Sequence, residues 1–196
     1  MKKIIKMDRF EDQSIWYKNL LANPTEIAAL FPFSAETGKL MTAHLEGMDE
    51  GYILELGSGM GAITECILQR EVPEDKLILI DKNEDFADYL RHKYTSANVF
   101  AEDASNAKKL LQAQGIFEVR HIVCSLPFVI IKQEQQLSIL DNIFKLLHPQ
   151  GCVSIVTYFI RCPISKKVLD QYNKSSELFG FTMKNIPPAY VYQIKS

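Results

Sequence analysis

The chain has 196 residues, of which 47% are hydrophobic and 23% charged, with a formal net charge of −2. This length and apolar content suit one globular domain with a sizeable core and argue against a second large domain. The near-neutral balance lacks the basicity usual in nucleic-acid binders, and no apolar run approaches the ~18 residues that span a bilayer.

In chain order, residues 8–31 are expected to be helical, with Phe10, Gln13, Trp16, Tyr17, Leu20 and Leu21 near one face and Pro24 breaking or restarting the helix. That stripe either packs on other helices or lies in a membrane interface, with Trp16 as anchor beside Lys2, Lys3, Lys6 and Arg9. The start MKKIIKMDRFEDQ turns acidic too soon for a signal peptide. From residue 52, strands are predicted over Tyr52–Leu56, Leu77–Ile80, Asn98–Ala101, Phe117–Cys124 and Cys152–Tyr158. Helices are predicted between them, near 61–70, 84–94, 105–113 and 132–147. Such alternation implies a parallel sheet with helices on both faces and right-handed crossovers. The tail breaks the rhythm, because Phe179–Ile186 and Ala189–Ile194 are separated only by Pro187-Pro188 and should pair as an antiparallel hairpin.

Charge is unevenly spread. Residues 1–22 carry five Lys/Arg against three Asp/Glu, residues 161–196 carry six against two, and the middle is acidic. This is either surface scatter or a basic rim for an anionic partner such as a lipid headgroup. The four cysteines (Cys66, Cys124, Cys152, Cys162) have neither C-x-x-C nor metal-ligand spacing, so no metal is expected and a reducing cytoplasm fits best.

The most informative stretch is ILELGSGMGAITECIL (53–68): a strand ending near Glu55, the glycine turn Gly57-Ser58-Gly59-Met60-Gly61, then a helix. Glycines let the backbone turn and approach a ligand closely, and the helix start offers free N–H groups. The spacing is not that of a dinucleotide loop, so a ligand without a pyrophosphate is expected, recognised by close approach and by carboxylates. Asp81 ends the next strand, where it can accept from both ribose hydroxyls. Asp103 follows the third strand, where it can accept from an exocyclic amine.

Together with LLHPQGCVSIV (146–156), these residues resemble class I S-adenosylmethionine-dependent methyltransferases over roughly residues 50–160. The resemblance implies a Rossmann-like α/β fold: a mainly parallel seven-stranded sheet ending in an antiparallel hairpin. It also implies S-adenosylmethionine as cofactor and S-adenosylhomocysteine as product, contacted by Glu55, Gly57, Ser58, Gly59, Gly61, Asp81, Lys82, Asp103, Ala104 and Cys124. Division into an N-terminal helical segment, 1–45, lying over membrane or substrate, and a methyltransferase domain, 46–196, is expected.

The acceptor-binding loop of such a fold follows the fourth strand, here CSLPF (124–128). Leu126-Pro127-Phe128 looks like the end of nitrogen-methylating loops, but Ser125 stands where the rRNA adenine dimethyltransferases have an asparagine. Serine cannot make the two-sided amide contact to a base, which turns the expectation towards a small amine. SIWYKNLLANPTEIAALFPFSAETGKLM (14–41), CSLPFVI (124–130), IVTYF (155–159) and NIPPAYVYQI (185–194) are similar to bacterial phospholipid N-methyltransferases. By that resemblance the acceptor is the amine of phosphatidylethanolamine and its partially methylated forms, met by a soluble or peripherally membrane-bound enzyme at the inner membrane surface. Ser125, the Leu126 carbonyl and Tyr158 are then the catalytic candidates, and Pro127, Phe128, Trp16 and Tyr17 the substrate-binding ones. Methylation of RNA adenine and non-catalytic cofactor binding are the alternatives.

Overall fold

The structure is a computed structural model describing residues 33–46, 50–185 and 187–196. The helix expected over 8–31, with Trp16 and Tyr17, lies outside the described residues, and Pro32–Ser196 form one compact unit. The first described helix, α1 (Ala35–Thr42), is capped by Ser34, whose hydroxyl accepts from the Thr37 amide at 3.2 Å. There follow β1 (Ile53–Leu56), α2 (Ala62–Leu68), β2 (Leu77–Asp81), α3 (Glu84–Lys93), β3 (Asn98–Ala101), α4 (Ala107–Ala113), β4 (Val119–Cys124) and α5 (Gln133–Leu146). The chain ends with β5 (Leu147–Thr157), α6 (Lys166–Gln171), β6 (Ser175–Thr182) and β7 (Ala189–Lys195).

The seven strands form one sheet in the order β3-β2-β1-β4-β5-β7-β6. The first five pair in parallel, and β7 runs antiparallel between β5 and β6. Side chains alternate across the sheet. Leu54, Leu56, Ile78, Ile80 and Ile122 pack with Leu111 of α4, Ile139 and Ile143 of α5 and Leu169 of α6. Ile53, Leu77, Leu79, Val123 and Val191 pack with Met41 of α1, Ile63 and Ile67 of α2 and Leu90 of α3. Two apolar layers thus enclose the sheet, as the alternation of elements implies.

Three local departures have physical causes. The last parallel strand starts at Leu147 rather than Cys152, because its pairing with β4 resumes across a register shift. At this shift Gly151 lies against the Arg120 carbonyl, 2.4 Å from where a β-carbon would stand; the Pro149-Gln150-Gly151 stretch makes a bulge instead of delaying the strand. The expected strand over 179–186 sits at 175–182 instead. The chain turns away after Thr182, and the side chain of Asn185 then faces inward to bind the start of α1 (Ser34 amide to Oδ1, 2.9 Å). Finally, α6 was not anticipated; it is a short helix capped by Ser165.

A buried polar group interrupts the layer under α1. The rings of His44 and His121 meet edge to face at 4.9 Å. His44 Nδ1 lies 3.2 Å from the Ser154 hydroxyl, and the Cys152 amide donates to His121 Nδ1 at 3.1 Å. Burial, reinforced by His121, Lys195 and Arg70, pushes His44 down to about 3. Burial, then the Arg120 charge, pushes His121 down to about 4. Both rings are therefore neutral in the folded protein near pH 7.

Candidate functional site

The helices after β1 and β2 lead outward to β2 and β3, whereas β4 is followed by β5 on the other side, so the direction of winding reverses between β1 and β4. The carboxyl ends of adjacent strands at such a reversal leave a crevice where open α/β sheets bind ligands. The glycine loop 57–61 and the loop beginning at Ser125 leave from these two strands.

Gly57 has φ +78°, and a β-carbon there would lie 2.9 Å from Ser125 Oγ and 3.1 Å from Leu126 Cδ2. Glycine is required by both the left-handed backbone and the close approach of the second loop. Gly59 also has positive φ (+50°), but a β-carbon there would meet nothing within 4 Å. The space beside Gly59 is open, next to the Asp81 carboxylate. The contrast gives a prediction for thermal melts and cofactor titrations of two variants. Gly57→Ala should cost about 2–4 kcal/mol of stability, and Gly59→Ala about 1–2 kcal/mol, with the larger relative loss of cofactor affinity in Gly59→Ala. Equal destabilisation by the two variants would count against the open space.

Asp81 is 7% exposed. Its Oδ2 accepts from the Gly59 amide at 2.8 Å and its Oδ1 from the Asn83 amide at 2.9 Å. Burial raises its pKa, opposed by these two bonds and by the charge of Lys82. Each oxygen has one internal bond and keeps lone pairs for an incoming hydroxyl, so the carboxylate is held ready rather than swinging free. Lys82 is exposed beside it, and its charge also reaches Asp103.

Asp103 is more heavily engaged than its sequence position suggests. Its Oδ1 accepts from the Ser105 amide at 2.8 Å and from the Ser105 hydroxyl, and its Oδ2 accepts from Gln135 Nε2 at 2.9 Å. Partial burial alone would raise its pKa, but these bonds together hold it below the usual carboxylate range. Ala104, just beyond, is buried in the core.

Glu55 is 1% exposed and points towards α2, where Thr64 Oγ1 donates to its Oε2 at 2.7 Å. Its Oε1 is buried without a hydrogen-bond partner. Burial pushes its pKa up to about 8; the Thr64 bond works against this and the Asp81 charge adds to it. A buried carboxyl with an unsatisfied oxygen at the base of a glycine loop suits a cationic ligand, whose arrival would favour the ionised form. Ser58 is buried, with its hydroxyl 3.4 Å from the Glu55 carbonyl. Gly61 is packed by Leu90 and Tyr94, each with a side-chain atom 3.0 Å from where a β-carbon would stand.

At the loop after β4, the Ser125 hydroxyl is buried and donates to the Gly57 carbonyl at 2.7 Å, with the Leu56 carbonyl at 3.2 Å. Its one proton ties the two loops together, and only its lone pairs remain for an outside donor. The Leu126 carbonyl accepts from the Phe128 amide at 2.9 Å, a tight turn braced by Pro127. Phe128 is 1% exposed, its ring in the core under α5 rather than at the surface, and Cys124 is fully buried. Tyr158 stacks on Phe33 at 6.3 Å between centroids. Its hydroxyl is buried without a hydrogen bond of normal geometry; burial raises its pKa, while the nearby Asn185 side chain works against the rise.

Four residues of this arrangement went unread in the sequence: Thr64, Tyr94, Gln135 and Asn185. Asn185 accepts from the Ser34 amide and, at 3.2 Å, from Thr37 Oγ1, while its own amide donates to the Pro187 carbonyl at 2.9 Å. Its only sequence signal was its place at the head of the NIPPAYVYQI stretch. Thr64, Tyr94 and Gln135 occupy ordinary helical contexts that give no local cue. Among the described residues no cluster of three His, Cys, Asp or Glu side chains could hold a metal ion.

Residues 53–151 match the family model described as "Methyltransferase domain". The chain is 26% identical over 173 residues to a protein of Singulisphaera acidiphila named ornithine lipid N-methyltransferase, covering 86% of this chain and 88% of that one. It is 23% identical over 150 residues to the ribosomal RNA small subunit methyltransferase A of a Hydrogenobaculum species, covering 76% of this chain but only 54% of the relative. A solved S-adenosylmethionine-dependent methyltransferase from Archaeoglobus fulgidus shares the fold with a TM-score of 0.61 at 15% identity, over 92% of this chain and all of that one.

Proposed function

Because the chain belongs to the methyltransferase-domain family and is an S-adenosylmethionine-dependent enzyme, we propose that it methylates the primary amine of a membrane-lipid headgroup. Phosphatidylethanolamine and its partially methylated forms are the acceptors we favour. The observation that carries the reading is the acceptor loop: where a base-reading amide would stand, Ser125 spends its proton on Gly57 and offers only lone pairs. Support also comes from the S. acidiphila relative, which by its name acts on a lipid nitrogen.

When bound, S-adenosylmethionine supplies an electrophilic methyl group on a sulfonium, open to in-line attack. In our reading the Gly57–Gly61 backbone lies along its methionine part and Glu55 provides negative charge beneath. Asp81 accepts from the ribose hydroxyls, with Lys82 alongside, and Asp103 and Ala104 border the adenine. The chain's remaining task is positioning: it must hold a neutral amine with its lone pair aimed at the methyl carbon. The Ser125 oxygen and the Leu126 carbonyl accept its two N–H bonds and so orient the lone pair; the nitrogen leaves the step as an ammonium, which gives its proton to solvent before a further methyl can be added. Tyr158, with its unsatisfied hydroxyl and its ring on Phe33, borders the same side and can face the cation that grows as methyls accumulate.

The test is purified protein with labelled cofactor and vesicles containing either phosphatidylethanolamine or ornithine lipid, read by lipid mass spectrometry. Methylated headgroups are expected; cofactor binding with neither lipid modified would remove the reading. Ser125→Asn should lower lipid methylation about a hundredfold by displacing the loop from Gly57, whereas full activity would leave Ser125 a turn residue only. The match to the ribosomal RNA enzyme keeps one second reading, methylation of RNA adenine, which steeply salt-dependent RNA binding with methylated product would favour.

A further inference from the structure

The carboxyl edge of the sheet is divided chemically. Beyond β1, β2 and β3 it carries the acids Asp81, Glu102 and Asp103. Beyond β4, β5 and β6 it carries the loops 125–132, 158–165 and 183–188, which contain Lys132, Arg161 and Lys184 and no Asp or Glu. Since β6 runs antiparallel to β7 and β7 antiparallel to β5, all three loops leave from the same edge. From β4 to β6 is three strand intervals, about 14 Å.

These loops and the last turn of β6 expose large apolar side chains: Val129, Ile130, Phe159, Ile160, Phe181 and Met183. Phe159 is 60% exposed and Ile160 69%. They are not on a loose tip. The Phe159 amide donates to Thr157 Oγ1 at 3.3 Å, and the Tyr192 hydroxyl donates to the Ile160 carbonyl, so the turn presenting both side chains is fastened to the sheet. Lys166 and Lys167 of α6 are exposed just beyond, while Lys184 is shared with Glu36 at 3.4 Å. Apolar groups on loops that carry cations and no acids of their own match a bilayer whose headgroups are partly anionic.

We propose that the loops following β4, β5 and β6 form a membrane-docking surface, with Phe159 and Ile160 entering the acyl boundary and Lys132, Arg161, Lys166 and Lys167 meeting anionic headgroups. The inference rests on the lipid-acceptor reading and deepens it: the surface adjoins Ser125 and Tyr158, so docking brings headgroups to the acceptor loop without lifting the lipid out of the membrane. Among the described residues no helix is long and apolar enough to cross a membrane.

The full chain is tested by flotation with vesicles of phosphatidylcholine and phosphatidylglycerol, which contain no primary amine, so docking is read independently of methylation. The double variant Phe159→Ser/Ile160→Ser should lower the partition coefficient at least about tenfold. Arg161→Gln or Lys132→Gln should lower it about fivefold each, only when phosphatidylglycerol is present. Phe117→Ser, at a residue 68% exposed before β4 at the opposite edge, is the control and should change nothing. Unchanged partition in the double variant, equal loss in Phe117→Ser, or a solution dimer broken by the double variant with no vesicle binding would each overturn the surface. Vesicle binding without methylated lipid in the amine-containing assay would instead overturn the acceptor reading and leave the surface standing.

Discussion

Asp81→Ala is expected to weaken S-adenosylhomocysteine binding on the order of a thousandfold and to abolish methyl transfer with it. Two charge-assisted hydrogen bonds to ribose hydroxyls contribute about 1.5–3 kcal/mol each. The same carboxylate accepts from the amides of Gly59 and Asn83, so its loss also releases the glycine loop. Asp81→Asn separates the two effects: its one amide oxygen can still accept from Gly59, which should preserve the loop, while ribose recognition loses its charge. Calorimetric titration should therefore rank wild type above Asn and Asn above Ala, with thermal melts of the ligand-free proteins closer together than the affinities. Equal affinity in all three would place the ribose elsewhere.

The ligand-free protein is expected to lose stability as pH rises from about 6.5 to 8, above the range in which the histidines gain, and Glu55→Gln should remove that loss. Glu55 has a folded pKa of about 8 against the usual 4.5. Between those values the folded state binds the extra proton, so the stability associated with this group is complete below the unfolded pKa and fades as pH climbs through the folded one. A shift of this size corresponds to on the order of 5 kcal/mol in total, or roughly 10–20 °C in Tm for a chain of this length. The acid side behaves oppositely. His44, lowered to about 3, and His121, lowered to about 4, are neutral when folded. They contribute fully above about 6.5, and that contribution is lost as pH falls towards their folded values. Melts across pH 4–9 should thus give a maximum that broadens to the alkaline side in Glu55→Gln. An alkaline limb unchanged in the variant would assign the loss to another group. Saturation with S-adenosylmethionine should flatten the same limb, because a cation beside Glu55 favours its ionised form.

The parts legible in sequence were those written in local pattern. β1 to β4 and the helices between them follow from alternating apolar runs, and the glycine loop and Asp81 follow from short-range spacing. The shift of β6 was not legible because its cause is a long-range bond: Asn185 is captured by Ser34 and Thr37, about 150 residues away in the chain. For the same reason Ser125 could be read as an acceptor-loop residue but not as the tether to Gly57, whose backbone conformation and missing β-carbon make room for it. Phe128 sits at the expected loop position, yet the turn after Leu126 directs its ring into the core, a direction no one-dimensional pattern encodes. Asp103 was found by position, whereas its partner Gln135 comes from a helix start 32 residues later.

The sheet order has a consequence for how the molecule is made. β6 precedes β7 in the chain but reaches the sheet only through it. During synthesis, residues 175–182, with Leu178, Phe179 and Phe181, must therefore remain unpaired until β7 has left the ribosome, an interval of about one second at ordinary elongation rates. The strands bearing the glycine loop, Asp81 and Ser125 do not wait for β7, since β1, β2 and β4 pair with one another and all precede it in the chain. The half of the edge carrying the glycine loop, Asp81 and Ser125 can thus form before the hairpin, and β6 is the last strand of the sheet to gain a partner.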